Sequence, residues 1–250
     1  MSTIKSKKTL SLQAFLIYSF IFIAFLPQIA GAATITTVSF NWGKGKTAML
    51  AEKIAKLPTE RVDDLKLPIL FGVKMSNLSN SWGDPRPGGR KHQGIDIMAP
   101  RGSFIVSPTE AVVSRLDYGL IGGNVVYTVG PGHETFYYAH LDSFKEGLKV
   151  GDVLKEGDLI GYVGNTGDAR FSSPHLHFTI YDYTGPRNAY LRIKKEFSID
   201  EKAESVRQII AEAPEREELI KSLTEKYKDV MDIAMAEEIE PKVLGDSTEV

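Results

Sequence analysis

The pattern of apolar and polar positions divides the chain into an apolar leader, a β-rich centre and a helical end. In the centre, over about residues 92–183, short apolar runs are separated at brief intervals by Gly, Pro, Asp and Asn, which is typical of antiparallel strands joined by tight turns. The candidate strands are 95–98, 104–106, 111–113, 124–129, 134–140, 159–163 and 175–180. The pattern therefore predicts a mainly β fold with an antiparallel sheet.

Near the end of the chain, apolar residues recur every three or four positions, which predicts helices. Ser198 and Glu201 fit a capping box at the start of a first helix, and a second helix is expected from Pro214 through the apolar positions up to Met231. Residues 195–250 hold 16 acidic and 8 basic residues. They form either a solvated helical pair packed on the β domain or an arm that docks a protein partner.

The first residues have the character of an export signal. Three lysines precede an apolar run over residues 10–26, and Ala30 and Ala32 supply the small-x-small pattern that signal peptidase recognises. We expect cleavage near Ala32–Ala33, which leaves no stable membrane span and a periplasmic or extracellular protein. The alternative is an uncleaved membrane anchor, because about 17 apolar residues approach the lower limit for a spanning helix.

The amino-acid composition limits the kinds of binding and metal site that the chain can form. The 250 residues carry a net charge of −2. The chain therefore lacks the excess of basic residues that would indicate nucleic-acid binding. The absence of cysteine excludes disulfides, cysteine zinc sites and thiol nucleophiles. Any metal site must use carboxylates and the five histidines, which are His92, His133, His140, His175 and His177.

Two short motifs place histidines where they can meet. His92 and Asp96 are four residues apart, and His175 and His177 are two apart in a predicted strand, where they point to the same side. His92, Asp96 and one of the two strand histidines make a three-ligand zinc set with a fourth position left for water. The alternative is that these are structural histidines with satisfied hydrogen bonds.

Five longer sequence motifs, taken together, resemble one known protein family. They are Trp82-Gly83-Asp84-Pro85-Arg86, Arg90-Lys91-His92-Gln93-Gly94-Ile95-Asp96-Ile97, Tyr138-Ala139-His140-Leu141, Gly161-Tyr162-Val163-Gly164-Asn165-Thr166-Gly167 and Pro174-His175-Leu176-His177-Phe178. In this order they resemble the lysostaphin-type (LytM-like) zinc endopeptidases, and the resemblance covers about residues 80–190. It implies a small antiparallel β fold with a long groove and the hydrolysis of peptide cross-links in bacterial peptidoglycan.

The resemblance also implies roles for single residues. It makes His92, Asp96 and His177 the ligands of one Zn²⁺ per chain, and His140 and His175 the catalytic pair. Which histidine is the general base is left open. His133 matches no motif and is expected at the surface.

One departure from the family concerns the stretch before the first ligand. Many members have a tyrosine there that is thought to steady the oxyanion, whereas this chain has Arg86 and Arg90. A guanidinium can supply the positive charge or bind a substrate carboxylate. The alternative for each arginine is a salt bridge within the loop.

The expected organisation has four parts. These are a signal peptide over 1–32, a partly helical N-terminal segment over 33–79, a zinc endopeptidase domain over 80–194 and an acidic helical extension over 195–250. The expected function is that of an exported zinc metalloendopeptidase acting on peptidoglycan through a metal-activated water. The alternative is a non-catalytic relative that binds peptidoglycan or activates an amidase.

Overall fold

The computed structural model describes residues 44–213 and 215–236. The expected signal peptide over 1–32 with its cleavage point near Ala32, and the expected helix start at Pro214, lie outside the described residues. Within those ranges, no helix has the length and apolar character needed to cross a bilayer.

Thirteen strands lie within the described residues. They are β1 Leu65–Lys66, β2 Pro85–Arg86, β3 Arg90–Lys91, β4 Ile95–Met98, β5 Phe104–Val106, β6 Ala111–Gly119, β7 Gly123–Val129, β8 Thr135–Phe144, β9 Val153–Leu154, β10 Leu159–Val163, β11 His175–Asp182, β12 Gly185–Arg187 and β13 Ile193–Lys195. The α-helices are α1 Lys44–Ala55, α2 Ile199–Glu212, α3 Arg216–Lys226 and α4 Lys228–Ala236.

Nine strands form one antiparallel sheet, whose main path runs β12-β11-β8-β7-β6-β9. Strand β4 pairs with residues 175–178 of β11, before the stretch 180–182 that pairs with β12, and β10 joins β8 to β5. Two short pairs lie apart from this sheet, a parallel one of β1 with β13 and an antiparallel one of β2 with β3. The expectation of a mainly β, antiparallel domain followed by C-terminal helices is confirmed.

The core of the sheet explains why β11 presents histidines on one side. Leu176, Phe178 and Ile180 alternate along this strand and are completely buried, together with Ile95 and Ile97 of β4. Burying each such side chain contributes about 1.5–3 kcal/mol relative to exposure. Because successive side chains of a strand point to opposite faces, burial of these apolar residues fixes the register of β11. His175 and His177 therefore point to the face opposite Leu176 and Phe178.

The C-terminal helices pack against the β domain. Ser198 and Glu201 form the predicted capping box of α2, and helices α2 to α4 share a second apolar core with β5 and β10. The expected second helix is broken at Tyr227, whose ring stacks on Phe71 with centroids 4.1 Å apart. After the break, α4 buries Val230 in this core. Of the two alternatives for these helices, packing on the β domain is the one that the structure has. The docking of a protein partner stays a prediction.

Within the described part of the N-terminal segment, α1 is the α-helix, and it spans Lys44–Ala55. Lys53 of α1 donates a hydrogen bond to the Gly151 carbonyl at 2.6 Å. Lys66 of β1 is buried and pairs with both Glu156 and Glu201, so a loop of the sheet and the first turn of α2 are joined to the same ammonium group.

Candidate metal centre

Strands β4 and β11 position two of the predicted ligands. In their antiparallel register Asp96 lies directly opposite His177. His92 precedes β4 and is held by two backbone hydrogen bonds, from its N–H to the Asp84 carbonyl and from the Gly83 N–H to its own carbonyl, both 2.9 Å. The motifs at 92–96 and 175–177 are therefore brought together as predicted.

Three side-chain atoms converge on one point. His92 Nε2 lies 2.9 Å from His177 Nδ1 and 3.1 Å from Asp96 Oδ1, and His177 Nδ1 lies 3.2 Å from the same carboxylate oxygen. His92 Nδ1 is 2.7 Å from the Ser81 carbonyl, which can only accept, so this nitrogen carries the proton and Nε2 presents a lone pair.

The electrostatics of the cluster favour a cation. Burial acts to raise the pKa of Asp96, but the close approach of His177, His92 and the Arg86 guanidinium outweighs it, so that pKa lies well below its ordinary value. Burial lowers the pKa of His177 and keeps its imidazole neutral. Two neutral imidazoles and one carboxylate are the donor types that zinc takes in catalytic sites, so these residues fit the metal implied by the sequence.

His140 and His175 flank this cluster with their rings 5.0 Å apart. His140 Nδ1 is 2.9 Å from the Thr166 carbonyl, and His175 Nδ1 is 2.8 Å from the Ser173 carbonyl. Both Nδ1 atoms therefore carry protons, and both Nε2 atoms are left as acceptors. His175 Nε2 lies 3.8 Å from Asp96 Oδ1, at the edge of the cluster.

The backbone at His140 is unusual. It has a φ of 64°, a left-handed conformation uncommon outside glycine, and its N–H donates to the Gly122 carbonyl at 2.8 Å. Non-glycine residues in this region concentrate at functional sites. Burial, with His175 and His177 nearby, lowers the pKa of His140 to about 4.

The two arginines take different places. Arg86 is half-buried and pairs with Oδ2 of Asp96, the oxygen that faces away from the two imidazoles. Arg86 therefore forms a salt bridge with the predicted ligand Asp96 on β4, and not one within its own loop. Arg90 is exposed and donates from Nε to the Pro87 carbonyl at 3.2 Å. His133 is exposed, as expected.

Several residues of the site were not singled out from the sequence. Ser81, Thr166 and Ser173 contact the histidines through backbone carbonyls, for which no side-chain pattern exists, and the Ser81 hydroxyl also accepts from the Asp96 N–H at 2.9 Å. Thr179 contacts His177 Nε2 at 3.0 Å, and its place two residues beyond His177 on β11 is a signal that strand periodicity provides. The ring of Tyr137 meets the His177 ring edge-on, with centroids 5.8 Å apart.

Comparison with known proteins gives a consistent result. The model of peptidase family M23 matches residues 90–189, a range that includes His92, Asp96, His140, His175 and His177. The L-Ala–D-Glu endopeptidase of Bacillus subtilis is 34% identical over 113 residues, which are 42% of this chain and 35% of that protein.

The peptidoglycan DD-endopeptidase ShyC of Vibrio cholerae is 30% identical over 158 residues, 60% of this chain and 36% of that protein. The crystal structure of a zinc containing peptidase from Vibrio cholerae is 25% identical, with a TM-score of 0.39, and the match covers 57% of this chain and 40% of that one. The chain thus spans little more than a third of the length of the two curated relatives.

Proposed function

Because residues 90–189 match the model of peptidase family M23, we propose that the protein is an exported zinc metalloendopeptidase that hydrolyses cross-links or stem peptides of bacterial peptidoglycan. The observation that carries the proposal is the convergence of His92 Nε2, Asp96 Oδ1 and His177 Nδ1 within 3.2 Å of one another. The names of the two curated relatives, one a peptidoglycan DD-endopeptidase, support this substrate class.

His92, Asp96 and His177 would hold the metal. When bound, zinc supplies Lewis-acid polarisation of a carbonyl and lowers the pKa of a coordinated water toward about 7. Arg86 keeps Oδ2 of Asp96 occupied, so Oδ1 is the oxygen directed at the two imidazoles.

His175 is the residue that we assign as general base. Its Nδ1 proton is committed to the Ser173 carbonyl, so Nε2 is an acceptor at the edge of the ligand cluster. A neutral imidazole in this tautomer takes a proton from the attacking water at Nε2 and can return it to the leaving amine. The Ser173 contact holds the ring in place through both transfers.

His140 has the same tautomer as His175, but its Nδ1 contacts a different backbone carbonyl. With Nδ1 donating to the Thr166 carbonyl, its Nε2 accepts a hydrogen bond from the water or substrate. The lowered pKa, about 4, keeps this ring neutral at pH 7. His140 therefore orients the reacting groups as an acceptor, and donates to an oxyanion only after it has gained a second proton.

The limits proposed for the parts of the chain are those expected from the sequence: 1–32 for the signal peptide, 33–79 for the N-terminal segment, 80–194 for the peptidase domain and 195–250 for the acidic extension. The family match at 90–189 falls inside the proposed peptidase domain. Export to the periplasm or the cell exterior agrees with a substrate that lies outside the membrane. N-terminal sequencing of the protein recovered from cells tests whether cleavage occurs near Ala32.

The second candidate function is a non-catalytic relative that binds peptidoglycan or activates an amidase. The chain holds a residue of the required type at both the metal and the proton-transfer positions, which favours the active enzyme. The C-terminal helices would be the surface for a protein partner in either case.

One experiment separates the two functions. Purified protein with zinc is incubated with cross-linked peptidoglycan, and the products are analysed by mass spectrometry, with His175→Ala as the control. New amino and carboxyl ends, absent with the control, support the peptidase and identify the bond that is cut. No new ends, together with a rise in the activity of an added amidase, support the activator.

A further inference from the structure

Thr179 forms a link between a predicted metal ligand and the backbone. It lies on β11, two residues beyond His177, and its side chain is completely buried. Its hydroxyl oxygen is 3.0 Å from His177 Nε2 and 2.9 Å from the carbonyl oxygen of Gln93.

The two contacts fix where the hydrogens lie. A threonine hydroxyl has one hydrogen, and a carbonyl oxygen can only accept, so the hydroxyl donates to Gln93. The contact with His177 is then a hydrogen bond only if Nε2 carries a proton and donates to the hydroxyl. A neutral imidazole has one N–H, so Nδ1 of His177 is left with its lone pair directed at His92 Nε2 and Asp96 Oδ1.

We propose that Thr179 is a positioning residue that holds His177 in the tautomer able to bind a metal. Without this contact, a proton on Nδ1 could donate to Asp96 Oδ1, 3.2 Å away, and satisfy both groups with no cation present. Binding a metal would then require that proton to move first. The inference rests on the proposed function, because it assigns His177 Nδ1 as a metal ligand.

Gly94 provides the space in which this contact forms. A Cβ at position 94 would lie 2.4 Å from the Thr179 hydroxyl oxygen and 2.6 Å from His177 Nε2, both closer than real Cβ contacts allow. A side chain at this position would therefore push the two partners apart. Gly94 does not have a positive φ, so its backbone conformation does not require glycine. Glycine is needed at this position because a side chain has no room there.

Zinc affinity of the full chain, measured by competition with a chromogenic chelator, tests the proposal. Thr179→Val keeps the shape and removes the hydroxyl, and we expect zinc affinity to fall by about 10–100-fold, the usual loss when the hydrogen-bond partner of a ligand is removed. Thr179→Ser restores the hydroxyl and should bind zinc nearly as the unsubstituted protein does. Thr128→Val, an equally buried threonine on β7, is the matched control and should leave affinity unchanged.

Nitrogen NMR of the metal-free unsubstituted protein gives a second readout that needs no variant. The expected spectrum shows His177 with a protonated Nε2 and an unprotonated Nδ1. The opposite tautomer overturns the proposal, as does a folded Thr179→Val protein with unchanged zinc affinity. If the unsubstituted protein binds no zinc, the proposed function fails, while the NMR result still decides the tautomer.

Discussion

Asp96 lies directly opposite His177 across the ladder of β4 and β11, with Oδ1 of the carboxylate 3.2 Å from Nδ1 of the imidazole. The other carboxylate oxygen pairs with Arg86. A pair of neighbouring strands thus supplies two of three predicted ligands in a fixed register. The third ligand, His92, comes from the short segment that leads into β4.

Replacing His177 with alanine is expected to abolish stoichiometric zinc binding. Two ligands would remain, one fewer than catalytic zinc sites use. Elemental analysis after dialysis should give about one zinc per chain for the unsubstituted protein, and far less for His177→Ala. His133→Ala removes an exposed histidine and is the control, with zinc retained. One full equivalent of zinc on His177→Ala would show that His177 is not a ligand.

Replacing His175 with alanine separates catalysis from metal binding. Loss of a general base costs typically about 10²–10⁴-fold in rate, so kcat on a peptidoglycan fragment should fall by that order while zinc content stays the same. A variant that loses zinc along with activity would place His175 among the ligands instead.

Gly94→Ala tests the crowded side of the His177 ring. The added methyl group would meet Thr179 and His177 at less than 3 Å, so zinc affinity should fall even though no polar group is removed. Gly119→Ala is the matched control, because nothing lies within 4 Å of a Cβ at that position. Equal zinc affinities for the two folded variants would contradict the assigned packing.

The buried His140 predicts a pH dependence of stability in the metal-free protein. Its pKa is lowered from 6.5 to about 4, so between these values the unfolded chain binds a proton that the native chain does not. Stability therefore rises with pH in this window and is lost as pH falls from 6.5 toward 4, by up to about 3 kcal/mol. Urea unfolding at several pH values measures this loss.

His140→Asn is the comparison for that measurement, since asparagine tolerates the left-handed backbone of this position. The variant should lose less stability than the unsubstituted protein as pH falls through the window. An identical loss in both proteins would mean that His140 does not titrate as its surroundings indicate.

Strand periodicity predicted only part of the site, because the choice of His177 as the ligand and the role of His140 came from the family resemblance. The two-residue spacing of His175 and His177 predicted that they share a face, and the apolar Leu176 and Phe178 predicted that the opposite face packs into the core. The link from Arg86 to Asp96 could not be predicted, because it depends on how the β2–β3 pair lies against β4. The carbonyls that hold the histidine tautomers belong to loops whose path no side-chain pattern specifies. The break at Tyr227 likewise depends on a contact with Phe71, more than 150 positions earlier in the chain.

The most direct test of the central claim is a crystal structure of the zinc-loaded protein with anomalous scattering measured at the zinc edge. The account predicts one strong peak at about 2.0–2.2 Å from His92 Nε2, Asp96 Oδ1 and His177 Nδ1. A map with these three side chains dispersed, or with the zinc peak held by other residues, would contradict it.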